Sequence, residues 1–288
     1  MWAIIRRIYW STQFLIDLSG FSLVAHDSLF LKGLKLSRRT DEKALKGLIL
    51  SLRPMETKVP LIRIGSKSDG GYLLPQDFDG VTTCFSAGCD LTWHFEKQLD
   101  TEFNVRSVIL DSIDKKPIDL GPKQTYIPFW LGNTNSERFI TFDKWISENL
   151  DENDTDLILQ MDIEGAEYEA LIGLEFEKLK QFRIIVLELH NLANFKNQRL
   201  FDEYYRPALS KLTEAYDVVH AHANNCCGNW GSGDVKFPKV LELTLLRKDR
   251  NGVSKNFAVT PHALDVDCVP SKGFLVLDWP TEDRIKII

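Results

Sequence analysis

The chain has 288 residues, 44% of them hydrophobic and 26% charged, with a formal net charge of −6 at pH 7. This is the balance of a globular protein long enough to bury a sizeable core in one large domain. The negative charge, without any basic stripe, argues against nucleic acid as a partner. The five cysteines, odd in number and without CxxC spacing, argue for a reducing, cytoplasmic setting over a disulfide framework or structural zinc.

The first element is an amphipathic helix over Met1–Phe21, because Ile5, Ile8, Thr12, Leu15, Ile16 and Ser19 recur at helical spacing. Arg6, Arg7 and Asp17 interrupt it, so it is neither a signal peptide nor a membrane span. It packs on the main domain or on a second copy as a homodimer contact. Trp2 and Trp10 beside the two arginines leave peripheral membrane association as the alternative. A second, capped helix begins after Thr40-Asp41-Glu42 and ends before Pro54, so residues 1–55 read as a helical N-terminal extension to a domain over 56–288.

From residue 60 short apolar runs alternate with amphipathic segments. Strands are expected at Val81–Phe85, Val105–Leu110, Tyr126–Phe129, Leu157–Met161, Ile184–Leu189, Val218–Ala221 and Leu241–Leu246. Helices are expected at Thr92–Glu102, Phe142–Leu150, Ala166–Leu174 and Asn197–Ala215. This alternation predicts an α/β fold: a mostly parallel, Rossmann-like sheet with helices on both faces. The last two strands, with no long helix between them, predict an antiparallel finish of the class I methyltransferase kind.

Ligands of such sheets bind outside the carboxyl ends of the strands, and three of those ends carry chemistry. The first strand leads into Ser86-Ala87-Gly88-Cys89-Asp90. There a glycine permits close backbone approach, and the helix behind it favours polar or anionic groups. This is not GxGxxG, so a cofactor without a pyrophosphate is expected. Asp111 ends the second strand, where doubly wound folds place an acid on ribose hydroxyls. Asp162-Ile163-Glu164-Gly165-Ala166-Glu167 stands between the fourth strand and its helix; the plainer reading is acids favouring a helix N-terminus. Upstream, Asp69-Gly70-Gly71-Tyr72 is either a hairpin turn or a loop over the cofactor.

These residues carry a resemblance. Arg63-Ile-Gly with Asp69-Gly-Gly-Tyr72, Cys84-Phe-Ser-Ala-Gly88, Ile140–Trp145, Asp156–Glu167, Val186–His190, His220–Asn225, Val240–Thr244 and Leu277–Pro280 run in order over residues 60–280. In this the chain resembles the FkbM family of S-adenosylmethionine-dependent methyltransferases. The resemblance implies S-adenosylmethionine as cofactor and methyl transfer to oxygen on a saccharide or small-molecule acceptor. The loop at Ser86–Asp90 is less glycine-rich than the family's usual one. Cofactor contacts are expected from Asp69, Gly70, Gly71, Tyr72, Ser86, Gly88, Asp111 and Asp162. Competing readings are a dinucleotide-dependent oxidoreductase, disfavoured by the missing GxGxxG, and a non-catalytic binding module.

A sugar hydroxyl needs a base or a metal ion to become a nucleophile. Asp162, Glu188 and His190 end adjacent strands and could together hold Mg²⁺ or Mn²⁺. In the metal-free alternative, Asp162 and Glu164 bind the acceptor and His190, His220 or His222 is the base. Asn224 and Asn225 suit sugar hydroxyls. The glycine-rich run Cys226–Gly233 reads as a mobile loop whose Trp230 either stacks on a sugar or anchors the loop.

Overall fold

The computed structural model describes residues 21–24, 35–89, 93–111, 119–151, 154–251 and 255–280. The helix expected at Met1–Phe21 thus lies almost wholly outside the described residues. The next segment departs from the expected helical extension. Phe21–Val24 (β1) and Lys35–Arg38 (β2) form a two-stranded antiparallel pair. Helix α1, Glu42–Ser51, comes after them, and the Asp41 carboxylate caps it by accepting the Ala44 N–H at 2.8 Å. Leu45, Leu48, Ile49 and Leu52 of this segment lie in the same core cluster as the central sheet. Packing therefore makes α1 part of the main body.

Leu61–Gly65 (β3) and Gly71–Pro75 (β4) form a hairpin. The central sheet is then laid down by Val81–Ala87 (β5), Arg106–Leu110 (β6), Gln124–Ile127 (β7), Asp156–Met161 (β10), Phe182–Leu189 (β11), Tyr216–Ala223 (β12) and Leu241–Arg247 (β15). The pair between β7 and β10, Trp130–Gly132 (β8) and Phe139–Thr141 (β9), stands apart from it. The sheet's order is β12-β15-β11-β10-β5-β6-β7. Neighbours from β11 to β7 are parallel, whereas β15 runs antiparallel to both β11 and β12. This is the expected class I methyltransferase arrangement, with the chain switching direction of growth at β5.

Strands at the centre of a parallel sheet are covered on both faces and so read as unbroken apolar runs. Every residue of β11 is buried. One face packs Phe85, Leu159 and Leu187 against α1, Phe142–Asn149 (α3, including Trp145), Glu167–Gly173 (α4) and Arg206–Ala215 (α5). The other face packs Cys84, Ile158 and Val186 against Tyr72 and Leu74 of the hairpin and Phe95 and Leu99 of His94–Phe103 (α2). The helix expected over Asn197–Ala215 is a short turn at Gln198–Leu200, a π turn at Phe201–Tyr205 and then α5.

The run Cys226–Gly233 is not a loop throughout. Asn229–Ser232 (β13) and Val235–Pro238 (β14) make a hairpin whose turn has Gly233 at φ +61°. Trp230 is buried there, its ring 6.3 Å from that of Phe195. It anchors the hairpin and is not offered to a sugar. Among the described residues no helix is long and apolar enough to cross a membrane.

Candidate active site

The carboxyl ends of β5, β6 and β10 are joined through one glycine. Gly88 has φ +81°, and a Cβ there would lie 1.7 Å from the Asp162 carbonyl oxygen. The Gly88 N–H donates to Leu110 O at 3.0 Å, and the Asp162 N–H donates to Ala87 O at 2.9 Å. Asp111 accepts the next amide, Cys89 N–H, on Oδ2 at 2.9 Å. Glycine is thus required here by contact of chain with chain, and the same contact sets Asp111 and Asp162 on either side of the turn.

Beyond Asp162 the backbone reverses sharply, with Glu164 at φ +57° and Gly165 at φ +109°. The reversal turns two amides inward. Ile163 N–H (3.1 Å) and Gly165 N–H (3.0 Å) both donate to Oε1 of Glu167, which is fully buried at the start of α4. The same oxygen lies 3.1 Å from Nδ1 of His190, just beyond the end of β11. A carboxylate can only accept, so this contact places the ring proton on Nδ1. Tyr168 fixes the backbone there by donating its hydroxyl to His190 O at 2.7 Å.

The opposite ring nitrogen then faces three more carboxylates. His190 Nε2 is 3.6 Å from Glu164 Oε2, 3.7 Å from Glu188 Oε1 and 3.8 Å from Asp162 Oδ1. Glu188 is buried, and its Oε1 accepts from Asn224 Nδ2 at 2.8 Å. Its second oxygen, Oε2, is buried without a hydrogen-bond partner. Burial, with the charges of Glu164, Glu167 and Asp69 and against that of His190, pushes Asp162 up to about 7. Burial with Asp162 and Glu242 pushes Glu188 up to about 9. Burial alone would lower His190, but Glu167, Glu188 and Asp162 outweigh it and raise the imidazole to about 10. The site is a cluster of acids that share protons around one stabilised imidazolium.

Residues 95–217 match the methyltransferase FkbM domain. Over that span the chain is similar to FkbM methyltransferases. The match spans Asp111, Asp162, Glu167, Glu188 and His190, and with it the protein is an S-adenosylmethionine-dependent methyltransferase. Comparison with curated proteins finds no match. Among solved structures, a fibrillarin/Nop5p complex is similar at 8% identity and TM-score 0.35, over 59% of this chain and 74% of that one. M. capricolum TrmK with S-adenosyl-homocysteine is similar at 9% identity and TM-score 0.32, over 64% and 66%. Precorrin-6y C5,15-methyltransferase from Geobacter metallireducens GS-15 is similar at 12% identity and TM-score 0.33, over 73% and 94%.

The other expected site residues of the methyltransferase divide into two groups. Asp69 is exposed on the β3–β4 turn and its charge acts on both Asp162 and Glu188. Gly70 and Gly71 beside it serve the turn itself: Gly70 has φ +74°, and a Cβ on Gly71 would lie 2.0 Å from Ser66 O. Tyr72 is buried edge-on against Phe95 at 5.8 Å. Ser86 is not presented to a cofactor, because its buried hydroxyl is bonded to Glu96 and lies 2.8 Å from Gln160 Oε1.

His220, His222 and Asn225 are each engaged by partners within the protein. His220 Nε2 is 2.8 Å from Asp265 Oδ1, and both side chains are buried. His222 Nδ1 is 3.2 Å from Glu242 Oε2, which outweighs burial and raises its pKa. Asn225 donates to Val269 O and Lys272 O and accepts from Val269 N–H. His220 and Asn225 fasten the segment 255–280 to the end of the sheet, and His222 pairs with Glu242 across to β15. Only Asn224 of this group reaches the acid cluster. Conversely, the sequence pattern gives Glu167 no special role, because an acid in the first turn of a helix is ordinary. Its function depends on a loop reversal and on a histidine 23 residues away.

Proposed function

We propose that the protein transfers a methyl group from S-adenosylmethionine to a hydroxyl of a saccharide or saccharide-linked small molecule. The observation that carries this reading is the Asp162–Glu164–Glu188–His190 cluster beside the Gly88 turn. Its lining is almost wholly hydrogen-bond acceptors, and polyol hydroxyls are donors that such a lining binds.

The donor set also suits the cofactor. Asp111 stands half-buried at the end of β6, where a carboxylate accepts from ribose hydroxyls. Asp69 and Asp162 supply negative charge for the cationic sulfonium and ammonium groups. S-adenosylmethionine, when bound, supplies an electrophilic methyl group. The protein's part is to orient the acceptor oxygen and take its proton. Exposed Glu164 and the half-buried Asp162 accept hydrogen bonds from the acceptor at the mouth of the cluster. Asn224 and Glu167 hold Glu188 and His190 in fixed rotamers behind them.

Purified protein incubated with methyl-labelled S-adenosylmethionine and a panel of glycosides, catechols, amines and thiols tests this. Label is expected in an alkali-stable methyl ether of a sugar. Transfer to nitrogen or sulfur alone would overturn the saccharide reading. Calorimetric titration with S-adenosylhomocysteine against NADH separates the methyltransferase from an oxidoreductase.

A further inference from the structure

We infer that Asp162, Glu188 and His190 are the protein ligands of a divalent cation of the Mn²⁺ class, whose remaining positions take the acceptor's oxygens. This inference builds on the methyl-transfer reading and names how the hydroxyl is activated.

The first ground is distance. One ligand atom from each of the three residues lies within 4.8 Å of the others. The His190 Nε2 contacts to Asp162 and Glu188, at 3.8 and 3.7 Å, are too long for hydrogen bonds. Ligands at about 2.1 Å from a cation sit about 3 Å apart when adjacent and about 4.2 Å apart when opposite. The two His190 spacings fall between these values, and small side-chain rotations bring all three residues onto one cation.

The second ground is an orphaned atom. Glu188 is 4% exposed, its Oε1 is engaged by Asn224, and its Oε2 has no partner. A buried carboxylate oxygen without a donor is costly unless a cation or proton meets it. The same carboxyl group reaches the cluster through Oε1, 3.7 Å from His190 Nε2, and Oε2 is the atom on it left for a further ligand.

The third ground is the tautomer. Glu167 holds Nδ1–H, so Nε2 is the ring atom turned to the carboxylates, where a bound cation would take the place of its proton. A buried carboxylate fixing the far nitrogen is the usual support of a metal-bound imidazole. With two carboxylates and one imidazole, the set suits Mn²⁺ better than Mg²⁺, which favours oxygen alone. Three protein ligands leave positions for two vicinal hydroxyls of a sugar. A hydroxyl bound there loses its proton to Glu164 or solvent more readily, and the resulting alkoxide oxygen forms the new C–O bond as the C–S bond breaks.

The test is a Mn²⁺ titration followed by electron paramagnetic resonance, with no acceptor present. Wild-type protein is expected to bind one Mn²⁺ and lose the free-ion signal. Glu188→Gln and Asp162→Asn should bind at least about tenfold more weakly, and Glu167→Gln about 10–100-fold more weakly. Calorimetric binding of S-adenosylhomocysteine and melting curves confirm that each variant folds. Absence of Mn²⁺ binding, or affinity unchanged in both ligand variants, overturns the inference. Chelator-insensitive methylation of a glycoside would remove the cation and leave the methyl-transfer reading standing. Mn²⁺ binding lost in the variants, without sugar methylation, would do the reverse.

Discussion

Glu167 holds His190 by Nδ1 at 3.1 Å and thereby points Nε2 at three other carboxylates. Everything the acid cluster can do depends on this buried contact, which also closes the loop between β10 and α4. Replacing the carboxylate by an amide keeps the volume but removes the charge that fixes the tautomer. Glu167→Gln is expected to lower turnover about 10–100-fold. Affinity for S-adenosylhomocysteine should change much less, because Glu167 is enclosed by protein. Calorimetry alongside turnover checks this, and equal losses in both would assign Glu167 to the cofactor.

Asp111 makes the corresponding prediction on the cofactor side. Its carboxylate already orders the Cys89 amide, so it is pre-set for a ligand next to the Gly88 turn. Asp111→Ala should weaken S-adenosylhomocysteine binding by about 1.5–3 kcal/mol, the range for hydrogen bonds to a charged group. Unchanged affinity in a folded variant would move the cofactor site away from β6.

The sheet and most helices are legible in the sequence to within two or three residues. Apolar runs such as Leu157–Met161 can only be covered strands, and Asp41 and Thr141 cap the helices behind them. The β13–β14 hairpin was legible in principle, since Gly233-Asp234 between two short runs is a two-residue turn signal. The cysteines and glycines around it hide the alternation. Asp162, Glu188 and His190 could be read because strand ends in a parallel sheet converge. Glu167 could not, since its partner is set by tertiary contact. Nor could Asp265 and Glu242 be matched to His220 and His222. Two histidines on one strand face look like a site until their acids are known.

His220 separates those two roles. A general base would cost about 10²–10⁴ in rate when removed. In the fold His220 is instead buried against Asp265 and ties residues 255–280 to β12. His220→Ala removes one of the hydrogen bonds to buried Asp265, whose Oδ2 keeps the His262 N–H, at a cost of about 1–3 kcal/mol. The variant should melt below the wild type yet retain near-normal turnover per folded molecule at low temperature. A large rate loss with an unchanged melting curve would restore His220 to the chemistry.

Acid stability comes from another cluster at the opposite, amino ends of the strands. Asp156 pairs with Arg183 at 2.6 Å and Arg247 at 2.8 Å, and Asp77 pairs with Arg250 at 2.8 Å. The Arg250 hydrogen bond holds Asp77 below its ordinary pKa. Burial acts to raise Asp156, but the two arginines outweigh it and the net shift is downward. A folded-state pKa below the unfolded one gives stability that is complete above the ordinary carboxylate value of about 3.9. That stability is lost as the pH falls through the folded value. Melting temperature of the wild type minus that of Asp156→Asn should therefore be constant from about pH 7 to 5 and shrink below about pH 4. The subtraction cancels the active-site acids, whose raised values act in the opposite sense. A difference that stays constant down to pH 3 would show that the Asp156 pairs contribute nothing.

Three glycines at the same end of the molecule test whether the turns there serve the fold or the ligand. Gly88→Ala would force a Cβ to 1.7 Å from Asp162 O, and φ +81° is itself unfavourable for alanine. The ends of β5 and β10 would have to part, displacing Asp162, so the variant should lose both stability and cofactor binding. Gly71→Ala meets Ser66 O at 2.0 Å and should disrupt the hairpin in the same way. Gly70 differs, because nothing lies within 4 Å of its added Cβ and only φ +74° opposes the change. Gly70→Ala should cost about 1 kcal/mol of stability and leave the fold intact. If it also leaves S-adenosylhomocysteine affinity intact, the turn is a structural hairpin. Loss of affinity without loss of stability would instead place the backbone at residue 70 against the cofactor. Wild-type melting of Gly88→Ala would refute the chain-to-chain contact as the reason for that glycine.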